Sequence, residues 1–320
     1  MKEEGLWALT SYYNPFKGQR RRHNFDIFRA RLGVPLIAVE WAPDGLFELG
    51  PGDADVLVQV RGGDLLWQKE RLLNIGLTHL PDDCTHVAAI DCDVFFGTSG
   101  WAKNTIHSLQ YCDAVQLFGQ VVYLPEAPVE VRDSAELARL TPESRLQSMA
   151  VALAAGKGLF SPASSENTFG PAGHLPTING IPGMGLAFHA DMIRELQFYD
   201  ANIVGAGDMV LFSALTNRLE ENLTCRGYAP RHADHVRIWA RRAKRSGKSA
   251  LGVVQTTLYH LWHGKLADRR YGERHQILAR LGYDPDRHLS PHEHGAWSWS
   301  ACAGDLAAQV RGYLESRHDA

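Results

Sequence analysis

Two acidic residues two positions apart, Asp91 and Asp93, follow directly after the apolar segment His86–Ile90. On an extended chain, side chains two positions apart point to the same side. At the carboxyl end of a parallel strand they face the ligand crevice of an α/β sheet, where two carboxylates suit a divalent cation that holds a diphosphate. The Asp-x-Asp copies at 53–55 and 284–286 precede a strand and surround a proline, respectively. For the copy at Asp91, two solvated acids at a strand end remain the alternative interpretation.

A third acid, Asp208, ends the segment Gly205-Ala206-Gly207-Asp208 and precedes the helical pattern Met209–Leu219. Glycines let the backbone come close to a ligand, so a carboxylate at this position would be displayed to that ligand. The alternative is structural, because aspartate is a preferred N-cap residue and Asp208 could cap the helix that follows.

Two histidines three positions apart, His260 and His263, form a candidate metal-ligand pair. A neutral imidazole can ligate manganese, zinc or iron. The two rings share a face in a helix but oppose each other in a strand, so at a strand end only one of them would reach a given site. The alternative is one buried structural histidine and one surface histidine.

A basic segment, residues 231–248, carries seven lysines and arginines against the single acid Asp234. Such a run is typical of a solvated helix face or loop. The functional alternative is a loop that neutralises phosphates, while the single Trp239 gives little support for stacking on nucleic-acid bases.

These candidate residues need a scaffold, and the chain shows an alternation of strand and helix patterns. Strands are predicted over 6–11, 34–39, 56–60, 86–90 and 114–124, and helices over 17–32, 65–77, 134–155, 191–196, 209–219 and 306–314. Alternation of strands and helices over the first 125 residues predicts an α/β protein with a mostly parallel central sheet flanked by helices.

Composition restricts the class of protein. The 320 residues are 45% hydrophobic and 22% charged with a net charge of -3, the balance of a globular protein without a global field for nucleic acid. No run approaches the ~20 apolar residues of a membrane span, and the five cysteines contain no CxxC pair. We therefore expect a cytoplasmic protein without a membrane span or nucleic-acid partner.

Several of these motifs, taken in order, resemble the β-1,4-galactosyltransferase family and its glycosyltransferase family-two relatives. The first match is 67–76, with a basic residue before Leu72-Leu73-Asn74-Ile75-Gly76, followed by the strand that ends in Asp91-Cys92-Asp93. The second comprises Gly183–Phe188, the aromatic turn 198–200 and Gly205–Asp208, and His263 follows where the family has a metal-binding histidine. The matches cover roughly residues 65–95 and 180–275.

The resemblance implies a single GT-A type glycosyltransferase domain with a Rossmann-like sheet over 1–320. Residues 1–125 would form the nucleotide-sugar-binding half, 126–170 a connector, 171–285 the acceptor-side half with the basic loop, and 286–320 a C-terminal tail and helix. The implied activity is metal-dependent, inverting transfer of a hexose or N-acetylhexosamine from a UDP-sugar to an acceptor hydroxyl. The cofactor would be Mn²⁺ (or Mg²⁺).

The resemblance also implies roles for individual residues. Asp208 would be the general base. The expected metal ligands are Asp91, Asp93 and His263, with His260 as the substitute. The residues expected around the nucleotide-sugar are Tyr12, Asn14, Glu40, Lys69, Arg71, Asn74, Asp91 and Gly183.

One departure concerns the acceptor side, where the family carries a tryptophan and an acidic pair. Here Ala206 replaces the bulky residue and Asp208 has no acidic neighbour, so the acceptor could be a glycan, a lipid-linked molecule, a peptide or a small molecule. Two alternatives are a nucleotidyltransferase and a catalytically silent protein that binds nucleotide-sugars or polyanions. The segment 12–18 holds a single glycine, which argues against the phosphate loop of a nucleotidyltransferase.

Overall fold

Strands and helices alternate along the first third of the chain, as the sequence pattern predicts. The computed structural model describes residues 5–126, 142–161, 177–243, 249–271 and 273–318. Its first elements are β1 (Leu6–Tyr13), α1 (Gln19–Leu32), β2 (Leu36–Ala42), β3 (Val56–Arg61), α2 (Lys69–Leu77), β4 (His86–Ile90), β5 (Val94–Phe96), α3 (Trp101–Leu109) and β6 (Cys112–Gln116). Helix α1 ends at Gly33, whose φ of 76° is the left-handed conformation that glycine adopts at low cost.

The later elements are shorter and more of them are helices. They are β7 (Gln120–Tyr123), β8 (Ser144–Gln147), α4 (Met149–Ala154), β9 (Gly185–His189), α5 (Ala190–Leu196), α6 (Gly207–Leu215), α7 (Leu219–Arg226), α8 (Pro230–Ala240), β10 (Ser249–Val253), β11 (Thr257–His260), α9 (Arg274–Arg280), α10 (Pro285–His288), β12 (Leu289–Pro291), β13 (Trp297–Trp299) and α11 (Gly304–Glu315). No helix in the described ranges has the length and apolar content that a membrane crossing requires.

A seven-stranded sheet organises the molecule, with the strand order β10-β6-β9-β4-β1-β2-β3. All neighbouring strands run parallel except β9, which is antiparallel to both β4 and β6. The predicted α/β class, with a mostly parallel central sheet flanked by helices, is confirmed.

Both faces of this sheet are buried, which explains the nearly continuous apolar runs of its strands. Along β2, Ile37 and Val39 pack in one core cluster while Leu36 and Ala38 pack in the other. Helices α1 and α3 contribute to the second cluster and α2 to the first. Each fully buried Leu or Phe side chain stabilises the fold by about 1.5–3 kcal/mol.

A second sheet, with the order β5-β11-β7-β8, lies beyond the carboxyl end of β4. The single strand predicted for 114–124 is wrong, because the chain leaves the central sheet after Gln116 and enters the second sheet at Gln120. Gly119 lies at this crossing, where its N–H donates to the carbonyl of Thr256 at 2.9 Å and an added Cβ would lie 2.7 Å from the Gln255 side chain.

Two predicted helices differ from the structure. For the helix predicted over 134–155, residues 144–147 instead form strand β8, which pairs antiparallel with β7, and among the described residues of that range only 149–154 are helical. Residues 134–141 lie outside the described part. The helix predicted over 209–219 ends at Leu215, and a second helix begins at Leu219.

Candidate active site

The pairing of β5 with β11 brings three potential metal ligands together. The antiparallel register joins Val94 to His260, so Asp93 lies beside the end of β11, and the N–H of Leu261 donates to the Asp93 carbonyl at 2.8 Å. The His263 Nε2 atom lies 2.9 Å from Asp93 Oδ2, and His260 Nε2 lies 3.9 Å from Oδ1. All three side chains are buried.

The chemistry of this triad (Asp93, His260 and His263) fits a divalent cation. Its possible ligand atoms lie within 4.8 Å of one another. Burial lowers the pKa of His260 to about 4 and that of His263 well below its usual value, so both rings are neutral near pH 7. Although burial disfavours its carboxylate, contacts with the two histidines and Arg21 keep the pKa of Asp93 well below the ordinary value. Its Oδ1 atom has no hydrogen-bond partner among the described residues.

The expectation that only one of the two histidines reaches a given site is wrong. Strand β11 ends at His260, and the chain then turns, so that the ring centroids of His260 and His263 lie 5.1 Å apart beside Asp93. One carboxylate and two imidazoles form a donor set that favours Mn²⁺, Zn²⁺ or Fe²⁺ over Mg²⁺, because Mg²⁺ prefers oxygen ligands.

Asp91 and Asp93 have different partners, contrary to the rule for an extended chain. Residues 91–93 form a turn after β4, and Asp91 lies outside the triad. Its Oδ1 atom is 2.5 Å from Nζ of Lys69, the first residue of α2. The main-chain N–H of Asp91 also donates to the carbonyl of Met184 at 3.0 Å, which ties the turn to the segment before β9.

Lys69 connects Asp91 to a second acidic group formed by Glu70 and Asp208. Burial opposes the ammonium charge, yet Asp91, Asp208 and Glu70 together raise the pKa of Lys69. Burial also raises the pKa of Glu70 to about 7, with Lys69 opposing and Asp208 adding to the effect. The Cβ that Gly207 lacks would lie 2.5 Å from the Glu70 carboxyl carbon. This glycine therefore lets α6 begin directly over Glu70.

Asp208 lies in the first turn of α6, whose N-cap is Ala206 with a φ of 71°. The N-cap alternative for Asp208 is therefore wrong. Asp208 Oδ1 accepts a hydrogen bond from the N–H of Met209 at 2.8 Å. An added Cβ on Gly183 would overlap the Asp208 carboxylate, so this glycine is required for the observed approach.

One cavity of about 730 Å³ joins these groups. The predicted site residues that line it are Lys69, Asp91, Asp93, Gly183, Asp208, His260 and His263. The triad lines this cavity, and so do Asp208, Lys69 and Glu70. The volume lies within the range of cavities that bind small molecules.

Five predicted site residues are absent from the cavity wall, namely Tyr12, Asn14, Glu40, Arg71 and Asn74. Glu40 is fully buried and accepts hydrogen bonds from the main-chain N–H groups of Glu48 and Leu49 at 2.5 and 3.1 Å. Asn14 donates to the Glu48 carboxylate at 2.9 Å, and Tyr12 packs edge-on against Phe25. These residues hold the loop that follows β2.

Arg71 and Asn74 are directed towards the segment 198–200. Asn74 exchanges two hydrogen bonds with the main chain of Phe198, at 2.8 and 2.9 Å. Arg71 pairs with Asp200 at 3.1 Å and stacks on Trp297 at 4.3 Å. Arg71 and Asn74 thus join α2 to this segment, while Lys69 and Glu70 in the first turn of the same helix line the cavity.

The sequence interpretation missed two arginines next to the triad. Arg21, on α1, lies 3.4 Å from Asp93 Oδ2. Arg269 is buried and donates to the His263 ring, with Nη2 2.7 Å from Nε2. The basic start of α1 and the basic stretch after His263 were available signals, but neither carries a spacing that points to Asp93.

The basic segment 231–248 is not a loop in its described part. Residues up to Ala240 belong to α8, and Arg237 is neutralised by Glu220 at 2.8 Å and Asp234 at 3.0 Å. Trp239 is buried and donates its indole N–H to the Gln197 carbonyl. Residues 244–248 lie outside the described part. None of the basic side chains over 231–243 lines the cavity.

Comparisons with known proteins give similarity at the level of structure. No family model and no curated protein matches the sequence. Among solved structures, the catalytic domain of Drosophila β1,4-galactosyltransferase 7, in complex with xylobiose, aligns over 94% of this chain and 96% of its own at 10% identity, with a TM-score of 0.37.

Two further solved structures that are similar to this chain are other enzymes. A mannosyltransferase from Pyrobaculum calidifontis, in complex with GDP-Man and Mn²⁺, aligns over 67% of this chain and 51% of its own at 15% identity, with a TM-score of 0.34. The 4-diphosphocytidyl-2C-methyl-D-erythritol synthase from Anaerococcus prevotii aligns over 88% and 99% at 12% identity, also at 0.34. Because these TM-scores are below 0.5, the function proposed below depends on the residues of this chain.

Proposed function

We propose that this chain is a metal-dependent glycosyltransferase that moves a hexose or N-acetylhexosamine from a UDP-sugar to a hydroxyl of an acceptor. The observation that carries the proposal is the placement of the triad and of Asp208 in the walls of one cavity. The triad would hold the cation that binds the donor diphosphate, and Asp208 would meet the acceptor hydroxyl.

At the donor end, Asp93, His260 and His263 would hold the cation, and their mixed carboxylate and imidazole donors suit Mn²⁺, Zn²⁺ or Fe²⁺. A bound cation supplies positive charge opposite the diphosphate leaving group. Arg21 and Arg269 already contact the triad, and their guanidinium groups would donate charge-assisted hydrogen bonds to the same phosphates.

At the other end, Asp208 would act as the general base. It takes the proton of the acceptor hydroxyl while that oxygen bonds to the anomeric carbon. The bond between this carbon and the diphosphate oxygen breaks, UDP leaves with the electron pair, and the configuration inverts. General-base catalysis of this kind contributes about 10²–10⁴-fold to the rate.

A thermal-shift panel tests the donor end. UDP-, GDP-, CMP- and dTDP-sugars are each combined with Mn²⁺, Mg²⁺ or EDTA. At 100 times its dissociation constant, a ligand adds about 2.7 kcal/mol to the free energy of unfolding, so we expect a clear rise in Tm with a UDP-sugar and Mn²⁺. No rise with any nucleotide would refute the proposal.

Variants separate the two ends of the cavity. Asp93→Asn should lose the Mn²⁺-dependent rise. Asp208→Asn should keep UDP binding and lose at least 100-fold in transfer rate, measured as UDP release. Asp286→Asn, in the exposed Asp284-Pro285-Asp286 copy of the pattern, is the matched control and should change neither quantity. Normal transfer by Asp208→Asn would exclude this residue as the base.

A further inference from the structure

Two arginines, Arg226 and Arg274, form a cationic wall of the cavity beside Asp208. Both line the cavity. The Cβ that Gly205 lacks would lie 3.2 Å from both Nη atoms of Arg274, so this guanidinium packs against the loop that leads into Asp208. Asp208 is also close enough to contribute to the pKa values of both arginines.

Neither arginine has an acidic partner within ion-pair distance among the described residues. The Arg226 side chain makes no hydrogen bond to the described residues, and its guanidinium lies 5.7 Å from the ring centroid of Phe160. Arg274 is 7% exposed, lies 4.7 Å from the Tyr271 ring and has one long hydrogen bond, of 3.4 Å to the Tyr313 hydroxyl. The Nε atom of each is buried without a partner.

Six other arginines of this chain are neutralised. A carboxylate lies within 3.3 Å of the guanidinium in Arg22, Arg29, Arg71, Arg194, Arg218 and Arg237. The contrast matters because a buried charge without a counter-ion is costly to keep. An arginine pair of this kind is therefore expected where a ligand supplies the negative charge.

The local electrostatics differ between the two arginines. Burial lowers the pKa of Arg226, and the like charge of Arg274 adds to the decrease. Burial would lower the pKa of Arg274 as well, but Tyr313, Tyr271 and Asp208 raise it instead. Desolvation would raise the pKa of the Tyr271 hydroxyl, yet Arg269 and Arg274 lower it.

We propose that Arg226 and Arg274 bind an anionic group, a phosphate or a carboxylate, of the acceptor. The inference rests on the proposed function, which places the acceptor hydroxyl at Asp208. A guanidinium matches either anion with a planar fork of N–H donors. The donor diphosphate is expected at the triad, where Arg21 and Arg269 lie, so the pair beside Asp208 is available to the second substrate.

Such a pair would also offset the repulsion between an anionic acceptor and the carboxylates of the cavity. Asp91 and Asp208 would repel an anion that enters the cavity alone. The arginines compensate for this repulsion and fix the anionic group at one place. The hydroxyl to be glycosylated then reaches Asp208 in one orientation, which favours reaction.

Acceptor kinetics provide the first test. Three p-nitrophenyl glycosides are compared with a saturating UDP-sugar and Mn²⁺: a neutral glucoside, a glucuronide and a glucoside 6-phosphate. We expect at least one anionic acceptor to have a KM at least tenfold below that of the neutral acceptor. The two anionic acceptors distinguish a carboxylate from a phosphate as the preferred group.

Arginine variants locate the effect. Arg226→Gln and Arg274→Gln should each raise KM for the anionic acceptor about 10–100-fold, the size of one lost charge-assisted hydrogen bond. The rise for the neutral acceptor should be at least tenfold smaller. Arg237→Gln, on the exposed face of α8, is the matched control and should leave both KM values unchanged. Equal losses for neutral and anionic acceptors would overturn the proposal.

A binding measurement that needs no activity distinguishes failure of this inference from failure of the proposed function. Inorganic phosphate in EDTA should raise the Tm of the wild-type chain and of Asp93→Asn. The double variant Arg226→Gln/Arg274→Gln should lose most of that rise. An undiminished rise in the double variant contradicts the anion site, whatever the donor panel shows. A lost rise together with no UDP-sugar binding keeps the anion site and rejects the transferase.

Discussion

Glu70 provides the sharpest test of the acidic group in the cavity, through the dependence of stability on pH. Burial raises its pKa from the ordinary 4.5 to about 7. The native chain therefore keeps a proton that the unfolded chain loses, so the contribution of Glu70 to stability falls as pH rises from about 4.5 to about 7 and levels off above. At about 1.36 kcal/mol per pKa unit, the loss of this contribution between pH 5 and pH 8 is about 2–3 kcal/mol.

The substitution Glu70→Gln removes the titration and keeps the shape of the side chain. Urea denaturation at pH 5 and pH 8 gives the free energy of unfolding for both chains, and the variant should gain about 2–3 kcal/mol over the wild type between the two pH values. Glu315→Gln, in the exposed last turn of α11, should show no such gain. The difference in free energy of unfolding between variant and wild type should therefore change between pH 5 and pH 8. If it stays constant within 0.5 kcal/mol, a margin below the ~1.36 kcal/mol of one pKa unit, the raised pKa of Glu70 is refuted.

Two further substitutions test the packing that positions the site. Asn74→Ala leaves the buried N–H and carbonyl of Phe198 without partners and should cost about 1–3 kcal/mol in urea denaturation; a cost as small as that of the exposed Asn104→Ala would contradict this bridge. Gly76→Ala places a Cβ 2.9 Å from Val39 and should cost about 1–3 kcal/mol. Gly312→Ala meets open space on a helix and should gain up to about 1 kcal/mol, so equal effects at the two glycines would contradict the packing at Gly76.

The sequence predicts the central sheet well because burial on both faces leaves a strong local signal. Apolar runs such as 36–42 and the glycine that ends α1 need no knowledge of distant residues. The break at Gly119 is not visible in the local pattern, because residues 114–124 look like one mostly apolar strand. The chain divides into β6 and β7 there because the second sheet offers β7 its pairing partners. Likewise, 144–147 becomes a strand because β7 offers an edge to pair with.

For the candidate site, residue types were easier to predict than partners. Asp93, His263 and Asp208 are recognisable by their neighbours in the chain, and the structure places them in one cavity. The pairing of Asp91 with Lys69 depends on a turn after β4, which a two-residue spacing cannot show. Arg226 illustrates the same limit, because a sequence counts charges but does not show which of them lack a counter-ion.

The reversed direction of β9 has a consequence for how this molecule can diversify. A reversed strand delivers its beginning to the edge where parallel strands end, so Met184 meets Asp91 there and Gly183 lies against Asp208. The preceding segment 177–182 lines the cavity and belongs to no sheet strand, whereas the triad comes from β11 and the turns beside β5 and β11. New sequence in 177–182 could reshape one wall of the cavity without shifting the register of any sheet strand. The architecture thus separates a part that can vary from the part that forms the triad.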